Sequence, residues 1–325
     1  MRILYFGDGV WALKALKHLM EEDHAVCAIV LRNRPSDDSL AEFAKKNNIM
    51  VVQPQAANAS EFVDWVKSQE PELNISMSYD QILQRPILQT APFGFINCHA
   101  GKLPFYRGRN VINWAIINNE KEIGLTIHYV DEEIDTGDII LQRSLPIDWQ
   151  DTYASVLVKV EDAFPELLST AVKLIAENKV KPQPQYRKQG TYFGKRIIGD
   201  EWIDWEDTSL NIYNKIRAIT HPGPGAQTLL DSKVLSIWKA SYDLTWPKYI
   251  ATPGEVVGIA KNRGIKVKTG DSTIVVESVQ FKDQNKSEII PQFKIGTRLG
   301  SNVVKTLKQL QSQITEIRRI VDHLI

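Results

Sequence analysis

ILYFGDGVWALKALKHLMEEDHAVCAIVL, residues 3–31, reads as strand, glycine turn, helix and strand. Ile3-Leu4-Tyr5-Phe6 is an apolar run of strand length, and Val26 to Leu31 is another. Between them Leu13, Leu16 and Leu19 recur at helical spacing from Trp11 to Met20. Strand, helix and strand in succession make a βαβ unit and predict a parallel sheet. The rhythm continues outward, with helices over 40–47 and 61–69 and strands over 50–52 and 73–77. Ligands of such sheets bind at the carboxyl ends of the strands. Candidate site residues are therefore sought just after strands.

The first such place is FGDGVWAL, residues 6–13. Gly7 and Gly9 fit the first two positions of a dinucleotide fingerprint, but Ala12 takes the third. The second strand ends LRNR, without the acid that would bind an adenosine ribose. An NAD enzyme is thereby disfavoured. Gly9, at the mouth of the sheet, is kept as a candidate substrate contact.

From Phe93 the pattern changes. Phe95 to Asn97 is a short strand running into a loop, followed by a helix over 109–117, strands over 124–129 and 138–145, and a long amphipathic helix over 154–177. Pro182, Pro184, Gly190 and Gly194 punctuate the next stretch, which reads as a linker. A helix over 210–219 and several short strands to about Phe281 then suggest a small β-barrel. Val303, Leu307, Leu310, Ile314, Ile317, Val321 and Leu324 form a heptad seam, which either packs on its own domain or joins two subunits. The expected fold is α/β. A Rossmann-like domain covers 1–180, a linker 181–200, a smaller β-rich, OB-like domain 201–300, and a terminal amphipathic helix 301–325.

With 43% hydrophobic and 24% charged residues, the composition is that of an ordinary globular protein. Lys and Arg total 39, as do Asp and Glu. A grip on a nucleic-acid backbone usually brings a cationic surplus, so this balance leans away from such a partner. The two cysteines, Cys27 and Cys98, suggest neither a disulfide framework nor a metal cluster. The N-terminus lacks a secretory pattern, and no run approaches membrane-spanning length. A cytoplasmic protein without metal is expected.

The chemistry concentrates in INCHAGKLPFYRG (96–108) and GLTIHYVDEEIDTGDII (124–140). Asn97 and His99 are two apart, so on a strand they share a face. Asp135, in a loop between two strands, could reach the same place. Acyl transfer needs a donor for a developing oxyanion, a group to carry protons, and a group to hold that carrier. An amide, an imidazole and a carboxylate supply these without a nucleophilic side chain. By spacing alone, Asn-x-His at a strand end is more often simple hydrogen bonding.

Asn97-Cys98-His99, then Leu103-Pro104 and Arg107-Gly108, then Asp135-Thr136-Gly137, resemble in order the signature of the 10-formyltetrahydrofolate-dependent formyltransferases. The resemblance implies that His99 transfers protons for an attacking amine, Asn97 hydrogen-bonds the formyl oxygen and Asp135 orients His99. It implies 10-formyltetrahydrofolate as cosubstrate. SYDQIL (78–83) resembles the folate-binding loop: Tyr79 belongs to it, the backbones of Gln81 and Leu83 would meet the pterin, and Ile82 would pack beside it. The loop from Asp131 through Ile134 to Gly137 would close the other side.

The family often has Ser-Leu-Leu-Pro where this chain has Gly101-Lys102-Leu103-Pro104, which puts the acceptor side in question. Lys102, Arg107 and Arg109 could meet a diphosphate there, or stand as solvated surface cations. Tyr192, Phe193 and Trp202 could stack on a base or pack between domains. The C-terminal half sets the chain apart from glycinamide ribonucleotide enzymes. IDW (203–205) and IRAITHPGPGA (216–226) resemble methionyl-tRNA and sugar formyltransferases, with His221 a structural turn residue. LRNRPSDD (31–38) is short for the basic loop of a tRNA enzyme, while RGRNVINW (107–114) and GTYFGKR (190–196) look closer to sugar enzymes. The expected acceptor is thus the amine of a nucleotide-linked amino-deoxysugar for a surface glycan such as O-antigen, with a homodimer expected and nucleic acid not. Methionyl-tRNA is the alternative acceptor, and a folate-binding protein without turnover the non-enzyme alternative.

Overall fold

The structure is a computed structural model and describes residues 1–186, 189–231, 233–282, 287–300 and 303–324. The chain divides into two compact units, Met1–Arg196 and Ile197–Ile325.

The first unit runs β1 (Arg2–Gly7), α1 (Gly9–Glu21), β2 (Ala25–Leu31), α2 (Ser39–Lys46), β3 (Val51–Val52), α3 (Ser60–Ser68), β4 (Leu73–Met77), α4 (Arg85–Leu88), β5 (Phe95–His99), β6 (Arg107–Gly108), α5 (Val111–Ile117), β7 (Glu122–Tyr129), β8 (Ile139–Pro146), α6 (Tyr153–Ala176) and β9 (Tyr192–Phe193). Seven strands form one sheet in the order β3-β2-β1-β4-β5-β7-β8. The β1–β5 pairings within it are parallel, and β7 and β8 join antiparallel. The expected Rossmann-like sheet is present, extended by an antiparallel edge. Strand order reverses at β1, which lies between β2 and β4, so a crevice opens beyond the carboxyl ends of β1 and β4.

Apolar periodicity explains the packing. Ala12, Ala15, Leu16 and Leu19 bury one face of α1 at helical spacing. On one side of the sheet Phe6 packs edge-on to Phe62 and Tyr79 and tilted against Phe95, with Leu4, Val30, Val66 and Leu83 around them. Tyr79 and Leu83 belong to the loop after β4, so this cluster anchors that loop to the core. Thr152 caps α6 and Ser155 returns the bond, a capping box that fixes where the helix starts.

The second unit holds α7 (Ser209–Ile219), β10 (Ala226–Leu230), β11 (Lys233–Ser241), β12 (Val256–Ala260), β13 (Gly264–Lys268), β14 (Thr273–Phe281) and α8 (Val303–Leu324). Its five strands form an antiparallel sheet in the order β10-β11-β14-β13-β12, the expected β-rich domain. On α8 the seam residues Leu307, Leu310, Ile314, Ile317 and Val321 are exposed. The side chains of Val303 and Leu324 lie outside the described residues. Among the described residues no helix is long and apolar enough to cross a membrane.

Candidate active site

Strand register builds the first half of the site. Asn97 and His99 lie on one face of β5, and Cys98 points the other way and is buried. In the antiparallel pairing with β7, Asn97 faces His128 and His99 faces Thr126. Residues paired across two strands share a face, so His128 joins the other two. Its Nδ1 donates to the Tyr129 carbonyl at 2.7 Å, which leaves Nε2 toward Asn97 Nδ2 at 3.2 Å. His128 is 2% exposed. It is a site residue that the sequence reading overlooked, because a histidine in IHYV looks like an ordinary core residue. No local signal marks it, since only the register with β5 sets Thr126 and His128 opposite His99 and Asn97.

His99, also buried, has Nε2 on the Tyr106 carbonyl at 2.7 Å and Nδ1 facing Asp135 Oδ2 at 3.6 Å. The other carboxylate oxygen of Asp135 lies 3.5 Å from His128 Nε2. Asp135 Oδ2 also accepts the Gly108 N–H at 2.8 Å. Burial alone would raise the Asp135 carboxyl. The two imidazoles and the Gly108 N–H outweigh it and hold the group well below the usual carboxylate range. The structure thus brings Asn97, His99 and Asp135 together, with His128 between the amide and the carboxylate.

Asp135 sits in a loop closed on itself. Asp131 Oδ1 accepts from Thr136 Oγ1 at 2.6 Å and from the Glu133 N–H at 3.2 Å. Asp135 has φ 55°, and Gly137 lies so close under the Tyr129 carbonyl that no Cβ would fit. The facing loop is tied down by Gln81, which donates to Pro54 O at 3.1 Å and accepts from Ala57 N at 2.8 Å. Leu83 is buried beneath it, while Ile82 on this loop and Ile134 on the other are exposed. The Tyr79 hydroxyl and one Asp80 oxygen are buried without a hydrogen-bond partner among the described residues. Buried polar atoms are normally satisfied, so these two orphans fit a loop that receives a polar ligand.

The five candidate substrate contacts separate. Arg107, Arg109 and Tyr192 surround Gly108 on the short β6–β9 pairing, and Arg109 also donates to Asp80 O at 3.0 Å. Gly9 lies at the start of α1 beside Ser36. Lys102 forms an ion pair with Glu122 at the start of β7, away from His128 at its end. Phe193 stacks on Tyr106 and Trp114, so it packs within the first unit. A cavity of about 240 Å³ between the 100–106 loop, α5 and the start of β7 is lined by Lys102, Phe105, Glu120 and Glu122, among others, and not by the Asn97, His99 or Asp135 side chains.

A family model described as formyl transferase matches residues 1–172, and one described as formyl transferase, C-terminal domain, matches 198–294. The methionyl-tRNA formyltransferase of Acetivibrio thermocellus is 31% identical over 312 residues, covering 94% of this chain and 99% of its own length. That of Caldanaerobacter subterraneus is 34% identical over 315 residues, with coverage of 94% and 99%. Among solved structures, a sugar 3N-formyl transferase superposes with TM-score 0.64 at 23% identity, covering 88% of this chain and 99% of its own. An N-formyltransferase from Helicobacter canadensis in complex with folinic acid and dTDP-3-aminofucose superposes with TM-score 0.63 at 21% identity, covering 85% and 98%. At such identities these two share the fold.

The sequence relatives correct the expected acceptor. The relatives that match nearly the whole chain carry the name of the tRNA enzyme, so the nucleotide-linked amino sugar, the glycan role and the exclusion of a nucleic-acid partner do not stand. The physical error lay in the charge argument. A whole-chain sum averages over the surface and does not locate a patch. Nor are the residues of 31–38 a free loop: Arg32 pairs with the buried carboxylate of Asp8, and Ser36 donates to the same group.

Proposed function

Because this chain belongs to the formyl transferase family in both its N-terminal and its C-terminal domain, we propose that it formylates methionyl-tRNA, taking the formyl group from 10-formyltetrahydrofolate. The observation that carries the chemistry is the convergence of Asn97, His99 and Asp135 at the end of β5. The acceptor rests on the names of relatives that match the chain over most of its length.

The formyl carbon comes with 10-formyltetrahydrofolate when it is bound. Tyr79, Gln81, Ile82 and Leu83 on one loop and Asp131, Ile134 and Gly137 on the other would hold it, the exposed isoleucines giving apolar contact and the orphaned polar atoms hydrogen bonds. Asn97, whose Nδ2 lies 3.2 Å from His128 Nε2, would offer an amide N–H to the formyl oxygen, where negative charge develops. As the amine nitrogen bonds to the formyl carbon it sheds a proton, which His99 accepts and returns to the folate nitrogen as the old C–N bond breaks. Nε2 can do this only once it leaves the Tyr106 carbonyl. Asp135, held ionised, orients His99 and stabilises its cationic form. Gly9, Arg107, Arg109 and Tyr192 are carried forward as acceptor contacts. Arg107, Arg109 and Tyr192 border the Gly108 that binds Asp135.

Incubation of the purified protein with 10-formyltetrahydrofolate and methionyl-tRNA should yield N-formylmethionyl-tRNA, and His99→Ala should abolish it. Absence of product with the wild-type protein at saturating cosubstrate would overturn the acceptor. Full turnover in His99→Ala would overturn the mechanism.

A further inference from the structure

Gln183, Gln185, Thr191 and Phe193 fall in the stretch that the sequence reads as a linker, yet they are bonded along the catalytic loops. Gln183 exchanges two backbone hydrogen bonds with Ile139, both 2.9 Å. The Gln185 amide donates to the Asp135 carbonyl at 3.1 Å and to the Gly137 carbonyl at 2.6 Å. Its Oε1 is buried and has no partner among the described residues, so donation alone fixes the amide. Further along, Thr191 O and Phe193 O accept from the N–H groups of Arg107 and Arg109, which brackets Gly108. Gly108 in turn gives its N–H to the Asp135 carboxylate. Gln185 therefore holds Asp135 directly at its backbone, and Thr191 and Phe193 hold it through Gly108 at its side chain.

Asp135 needs such holding. Its φ of 55° lies in the left-handed region, which an aspartate occupies at some energetic cost unless its surroundings enforce it. The Asp131–Thr136 bond closes the loop but does not touch the Asp135 backbone. We propose that Gln185 is a positioning residue for formyl transfer: by donating to the carbonyls of Asp135 and Gly137, it keeps Asp135 in the backbone conformation that aims its carboxylate at His99. This rests on the reading of His99 and Asp135 as the working pair.

The test compares wild type with Gln185→Met, of similar length without a donor, and Gln185→Lys, which restores a donor. Hydrogen exchange of the 131–137 peptide and steady-state kinetics are measured on each, with His99→Ala as control. In Gln185→Met the peptide should exchange faster, and kcat should fall about tenfold with both KM values within about twofold, the loss expected when about 1.4 kcal/mol of positioning is removed. Gln185→Lys should recover most of both effects. Unchanged exchange in Gln185→Met overturns the proposal, as does faster exchange with wild-type kcat while His99→Ala is inactive. If neither Gln185→Met nor His99→Ala changes turnover, the functional reading beneath it has failed as well.

Discussion

The two sides of the site are held by different means. Asn97, His99 and His128 stand on adjacent strands, and sheet register alone sets their mutual positions. Asp135 stands on a loop in an unfavourable backbone conformation, and hydrogen bonds from Gln185 and Gly108 hold it. On the sheet side His99 and His128 are buried, and no alternative register keeps the apolar face inside. The loop side depends on a few separable bonds. Changes on the strands should therefore remove chemistry and leave structure, whereas changes around the loop should disturb both.

The largest effect is expected from His99→Ala. Loss of the proton carrier should lower kcat by roughly 10²- to 10⁴-fold, with the fold retained. Asn97→Ala comes next, at about 10²- to 10³-fold in kcat, the usual loss for one oxyanion donor. On the loop side, Gly137→Ala should show the contrast. Its Cβ would overlap the Tyr129 carbonyl, which is backbone and cannot rotate away. A stability loss of about 1–3 kcal/mol, read by chemical denaturation, should accompany the fall in activity. A strand-side change that costs as much stability, or a loop-side change that costs none, would break the comparison.

A pH series sharpens it. The Asp135 carboxyl is depressed in the folded state, so its contribution to stability is complete above its unfolded value of about 3.9 and is lost as pH falls below that toward the folded value. The Tm difference between wild type and Asp135→Asn should shrink as pH falls below about 4. The smallest effect is expected from Lys102→Ala. Its partner Glu122 is a surface carboxylate, and such pairs contribute little to stability. Its kcat/KM should stay within about twofold of wild type, and a larger loss would bring Lys102 back as an acceptor contact.

How much of this was legible follows from the same contrast. The sheet could be read because apolar runs and helical spacing repeat through residues 3–77, and Asn97 and His99 could be paired because strand alternation is a local rule. His128 required the β5–β7 register, which no local rule supplies. Asp135 came with the family motif, since no spacing says which way a loop folds back. Gln185 was hidden because prolines and glycines nearby look like a tether, and only three-dimensional pairing shows it bonded to the site. The acceptor was misread because summed charge, a short loop at 31–38 and the likeness of 107–114 and 190–196 to sugar enzymes outweighed the chain as a whole.

Gly101 leaves no room for a side chain between His99 and the Tyr106 carbonyl. Any Cβ there would overlap His99 Nε2 and that carbonyl oxygen together. The bare position therefore permits the parked imidazole, and a serine, common in the family at that point, would crowd it. Gly101→Ala should therefore displace His99 and the Tyr106 backbone together, read as a change in imidazole chemical shifts before any substrate is added.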